Sequence, residues 1–172
     1  AENIVYATGG EAGLYETSVY PASQTGGTGV ALRAGAAGKN LTEWQYGIAS
    51  IKFRWNLSGT YQQVLPRYIS TEPDGSDEKE FLNEYFDNAQ QLLNACFLKG
   101  YQWPFDPRKT ADHGSSLVDL LVYQETVLRG RRVWLDFRRN PSPSETDLYF
   151  DSGRLPAEAR EYLKNSDGLR AT

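Results

Sequence analysis

The sequence contains no methionine, one cysteine, Cys96, and one histidine, His113. A single thiol cannot form an internal disulfide, and one thiol with one imidazole cannot build a zinc site from thiolates and histidines. No apolar run approaches the roughly 20 residues that cross a bilayer, and no basic segment followed by an apolar stretch opens the chain. Positive charge is not in surplus: 18 Lys and Arg stand against 22 Asp and Glu, a formal net charge of −4. A nucleic-acid groove needs a basic face to neutralise phosphates, so nucleic acid is not an expected partner. The expectation is a soluble, cytoplasmic chain without a membrane segment or a resident metal. Asn40-Leu-Thr and Asn56-Leu-Ser match the glycosylation pattern and read as chance. The missing methionine adds an expectation: a chain that opens AENIVYATGG and steps at once into an apolar run reads as a segment of a longer polypeptide.

What is present suits a globular protein. Of 172 residues, 40% are hydrophobic and 23% charged, enough to bury a core. Ile4 and Val5 flank Tyr6 and predict a short buried strand ending near Thr8. Gly26, Gly27 and Gly29 predict a tight turn, then a helix over 30–37 that Gly38 stops. Ile51, Phe53 and Trp55 alternate with polar neighbours and predict strands at 48–55 and 61–71. TEPDGSD reads as a turn, with Asp77 and Glu80 as a capping box for a helical stretch over 78–98, which Asp87 and Asn88 break in two. Phe81, Leu82, Phe86, Ala89, Leu92, Leu93, Cys96 and Phe97 put its apolar face on the core. After a Pro- and Gly-rich loop, Ser116 and Asp119 repeat the capping pattern before a helix ended by Gly130. RRVWLDFRRNP is the clearest strand, closed by Pro141, and Pro156 opens a last short helix. The sum is an α+β fold, a small mixed sheet with packed helices.

Four stretches in order, ATGG (7–10), TGGTGVALRAGA (25–36), NLTEWQYG (40–47) and RRVWLDFRRNP (131–141), carry a resemblance to the flavoproteins of the fumarate reductase, succinate dehydrogenase and L-aspartate oxidase group. The resemblance implies that residues 1–50 are the end of a first FAD-binding portion, 51–150 a capping domain that closes over substrate, and 151–172 a C-terminal helix and tail. It implies that Ala7, Thr8, Gly9 and Gly10 lie against FAD, that Thr25, Gly26, Gly27 and Gly29 pass close to the flavin, and that Gln45 lines the substrate pocket. Arg108, in FDPRK, is by order the counterpart of the cap arginine that donates a proton to the substrate. Gly27 stands where the family has aspartate, and Tyr46-Gly47 where it has an aromatic residue and histidine. The phenol of Tyr46 is the acid or hydrogen-bond donor left at that place, and the substrate becomes a small, carboxylate-bearing molecule or another of similar size. The implied partners are that substrate and the remainder of the FAD-binding domain; the implied cofactor, FAD, belongs to the parent protein and not to this chain alone.

A second expectation stands beside it: a self-contained small domain, without catalysis, whose glycine loop holds an anion or that binds another protein. Helix N-termini offer N–H groups to anions whatever the spacing. An apolar strand left uncovered at Ile4–Thr8 would drive homo-oligomers or swapped strands. His113, beside Asp112 in its loop, reads either as a general acid or base or as a solvated loop residue. Arg129, Arg131 and Arg132 read as cations at a helix C-terminus, and Trp44, Trp55, Trp103 and Trp134 as core or interface aromatics.

Overall fold

Gly26 takes φ +86°, a left-handed value that suits a residue without a side chain, and helix α1 follows over Gly27–Arg33. The helix starts three residues earlier than the sequence predicts and stops earlier too. Gly35, at φ +92°, turns the chain out of it in the left-handed geometry that ends helices, so Gly38 is not needed for the stop. The structure is a computed structural model and describes residues 1–9, 26–42, 47–52, 57, 59–102, 105–139, 141–142, 151–155, 157 and 160–161. The chain forms two compact units, Ala1–Asn56 and Leu57–Thr172. In the first, the predicted buried strand at Ile4–Thr8 is irregular and exposed, Val5 at 92%. A strand is held by hydrogen bonds to a neighbour, and no described strand lies beside this one.

In the second unit the predicted strand at 61–71 divides. Thr60–Gln63 is a helical turn, α2, entered through Gly59 at φ +75°, and only Arg67–Thr71 is strand, β1. Gln62 explains the division. Its side chain is fully buried, Nε2 donating to Leu57 O at 2.9 Å and Oε1 accepting from the Tyr68 hydroxyl, and only a helical turn aims it both ways. The alternating strand at 48–55 is not seen in its described residues, and 53–56 lie outside them.

The helical stretch after the turn breaks at Asp87 and Asn88, as the sequence predicts. Phe81–Glu84 form a 3-10 turn, and α3 runs over Ala89–Lys99. Asn88 caps α3: Oδ1 accepts from Gln91 N at 3.0 Å, while the Gln91 side chain reaches back to Asp87 N, also 3.0 Å. The capping box predicted at Asp77 and Glu80 is not formed. Asp77 sits at φ +52° and pairs with Lys79 and Arg131, and Glu80 bonds Arg67. The second predicted box fails likewise. Helix α4, Ser115–Tyr123, starts from Gly114; Ser116 Oγ accepts from Asp106 N at 3.0 Å, and Asp119 is turned to Lys99. Helix α4 passes into a π-helical turn, Gln124–Leu128, and Gly130, at φ +70°, ends it.

Strand β2, Arg132–Asp136, returns antiparallel to β1, pairing Arg67 with Asp136, Ile69 with Trp134 and Thr71 with Arg132. Among the described residues the sheet is this one antiparallel pair, in place of the mixed sheet expected, within an α+β fold of four α-helices. On its other side β1 makes a single bridge, with Ser70 N and O both bonded to Lys79. The core lies where α3 packs on α4: Leu92, Leu93, Cys96, Phe97, Val118 and Leu121 are buried, as are Phe81, Leu82 and Tyr68. Each such side chain contributes about 1.5–3 kcal/mol of transfer free energy. Lys99 is buried with them, its side chain fully covered, and its ammonium meets Asp119 across the two helices.

Candidate functional site

The two glycine elements meet in the first unit. The Tyr6 hydroxyl donates to Gly27 O at 2.5 Å, and a Cβ placed on Gly27 would stand 2.6 Å from Thr8 Oγ1. Gly27 is therefore a glycine because Thr8 occupies the space a side chain would need. Gly9, at φ +87°, Gly26 and Gly29 differ: among the described residues nothing lies within 4 Å of where their Cβ atoms would be. Ala7 and Thr8 are exposed beside them. Gly10, Thr25, Gln45 and Tyr46 lie outside the described residues.

Arg108 belongs to the second unit, on a 3-10 turn, Pro107–Lys109. Asp106 builds this turn, its Oδ1 accepting from Arg108 N at 3.0 Å, and its carboxylate also takes Arg108 Nε at 3.0 Å and Nη2 at 2.8 Å. The guanidinium is 88% exposed. This pairing holds the Asp106 carboxyl down at about 2 and raises Arg108 above its ordinary range. His113 follows on the next turn, its ring 5.6 Å from that of Phe86 and Nε2 3.9 Å from Asp87 Oδ2. Asp112 and His113 are both left-handed, at φ +51° and +57°. Gly114 closes the loop where a Cβ would strike Lys109 O.

A concentration of charge among the described residues was not apparent in the sequence. Arg131 is buried, with Nε donating to Ser70 Oγ and lying 3.2 Å from Glu125 Oε2, and with Nη1 on Glu72 and on Asp77 at 3.0 Å. Glu125, equally buried, also takes Arg129 at 2.5 Å. Arg67 pairs with Glu78, Glu80 and Asp136, and its Nε has no partner. Asp136 also holds Arg138, which is the main reason its carboxyl is lowered to about 2. Glu125 with Arg129, four residues apart, and Asp136 with Arg138, two apart, left a readable spacing. Arg67, by contrast, meets carboxylates that lie 11 to 69 residues away along the chain.

On the sheet face carrying Ile69, Thr71, Trp134 and Asp136 lies an open cleft of about 370 Å³, bordered by Glu78 and Arg138. Trp134 is half exposed, and its Nε1 donates to Thr71 Oγ1 at 3.1 Å. Tyr68 and Cys96 lie in the core. Burial raises the Tyr68 phenol well above its usual range and pushes the Cys96 thiol up to about 12, so neither ionises near neutral pH. Among the described residues no three acidic, histidine or cysteine side chains are grouped to hold a metal, and no helix is long and apolar enough to cross a membrane. No protein-family model, no curated protein and no solved structure matches the chain.

Proposed function

We propose that the chain supplies part of an FAD-dependent oxidoreductase that moves hydride between the flavin and a small organic substrate. One observation carries the reading: the two glycine elements that resemble the flavin-contacting segments of fumarate reductase-type proteins lie against each other, Thr8 on Gly27, with open backbone at Gly9, Gly26 and Gly29. Two separated glycine stretches that formed unrelated loops would have no reason to touch. When bound, FAD would supply the hydride acceptor or donor. The chain's own work is to approach the cofactor with bare backbone, and through residues 51–150 to cover the substrate and exclude water. Gln45 and Tyr46 would orient the substrate. Arg108 would hand over the proton once released from Asp106, since the carboxylate holds the guanidinium proton more tightly.

The native protein, captured from its source with an antibody against this chain, tests the reading. Denaturation is expected to release one flavin per chain, and capture of protein without flavin would overturn it. Gly27→Leu, which drives a side chain into Thr8, is expected to lower flavin content severalfold while leaving the second unit folded. The alternative of a non-catalytic interaction domain draws on a different observation, the exposed edge of β2.

A further inference from the structure

Ser70 determines which way each backbone group in the sheet points. Its N–H and C=O both bond Lys79, at 2.8 and 2.9 Å, on the side of β1 away from β2. Backbone groups alternate along a strand, so Arg67, Ile69 and Thr71 turn theirs towards β2, and their partners Asp136, Trp134 and Arg132 turn theirs back. Val133 and Leu135 therefore direct N–H and C=O out of the far edge of β2. Among the described residues β2 pairs with β1 alone. This edge carries neither proline nor lysine, the residues that commonly block such edges.

We propose that this edge pairs antiparallel with the same edge of a second copy of the chain, centred on Trp134. In that register Val133 of one copy faces Leu135 of the other, and the outward groups of both residues close four main-chain hydrogen bonds. Arg132 faces Asp136 twice, setting a cation directly across the strands from a carboxylate that Arg67 and Arg138 already hold. Trp134 meets its own copy on the two-fold axis at a non-hydrogen-bonded position, where side chains approach most closely. It is 48% exposed, and its bond to Thr71 lays the ring back over β1, so that the main chain at the axis is open to the second copy. Val133 and Leu135 are half-buried, and each gains an apolar neighbour. Registers centred on Val133 or Leu135 set Trp134 opposite Arg132 or Asp136 in place of its own copy. The centred register is self-complementary in charge, size and hydrogen bonding, as a closed two-fold interface requires. It is independent of the flavin reading, since it uses no residue of the first unit.

The test is the 172-residue chain with Trp134→Cys, exposed to air as oxidant. Thiols on the axis would stand with Cα atoms about 4.5 Å apart, inside the range a disulfide spans. The expected result is a covalent dimer, formed as two thiols pass two electrons and two protons to oxygen, and absent from the wild type, whose buried Cys96 cannot take part. In sedimentation velocity the wild type is expected to dimerise with concentration. Val133→Pro removes an outward N–H and none that faces β1, so it should raise the dissociation constant at least about tenfold with the unfolding transition unchanged. Should the proline variant not fold, Arg132→Glu, which puts like charges opposite Asp136, carries the same expectation. A wild type monomeric at every concentration, no cross-link, or a dimer indifferent to these substitutions would overturn the proposal.

Discussion

The two units spend their apolar residues differently. In the second, Phe97, Leu93 and Val118 are almost wholly covered, together with the charges of Lys99, Glu125 and Arg131. In the first, no described residue is buried; Ile4 is 84% exposed, and α1 covers none of its side chains. Apolar content alone does not make a core. The second unit has a helix pair and a strand pair that present faces to each other, whereas Ile4 and Val5 have β propensity and no described strand to pair with.

Substitutions can break that contrast or sharpen it. The largest effect is expected from Phe97→Ala, at about 3–5 kcal/mol by denaturant unfolding, because the cavity opens where α3 and α4 meet. Cys96, beside it in sequence, should then react with a thiol reagent that fails to label the native wild type, where the thiol is held at about 12. Next comes Glu125→Gln, which removes the buried carboxylate beside Arg131 and leaves it Glu72 and Asp77 as its charged partners, at about 2–3 kcal/mol in the same measurement.

Acid acts on the same unit more gently. Asp136 titrates at about 2 in the folded chain, below an unfolded carboxylate near 4, so the folded state binds its proton less readily. Its contribution is fully present above roughly pH 4 and is lost as pH falls towards 2. Thermal unfolding at pH 5 and at pH 2.5 should show a drop in the wild type that Asp136→Asn reduces. The smallest effect belongs to the first unit: Val5→Ser should change stability by under about 0.5 kcal/mol, and a loss of several kcal/mol would mean that this segment is covered in solution.

The sequence was legible where the signal was local and the geometry followed it. The break at Asp87 and Asn88, the turn through Gly75, the helix stop at Gly130 and the strand at 132–136 all rest on residues whose backbone preferences act within a few positions. The capping boxes failed because Asp77 and Asp119 had stronger distant partners, Arg131 and Lys99, and a charge prefers a cation to a helix N–H. Gln62 shows the same effect, a polar side chain that turns an expected strand into helix by bonding Tyr68 and Leu57. Of the candidate site, the two glycine elements could be named in advance, but not that Tyr6 and Thr8 would bring them together. The clamp of Asp106 on Arg108 was readable from their spacing as an Asx turn.

The π-helical turn after α4 sets the angle at which the chain leaves the helix. Arg129 N–H reaches Gln124 O at 2.9 Å, five residues back, so this turn holds one residue more than α winding would. Each residue advances a helix by about 100°, and that is the angle by which the chain beyond Leu128 is displaced. The displacement lets Arg131 come back to the carboxylate of Glu125. Deleting Thr126, Val127 or Leu128 would let the backbone heal into an ordinary helix and keep Glu125 in place, yet Arg131 would leave on the wrong side of the axis and draw β2 out of register. Past Glu125, length in this turn is therefore under tighter constraint than residue identity.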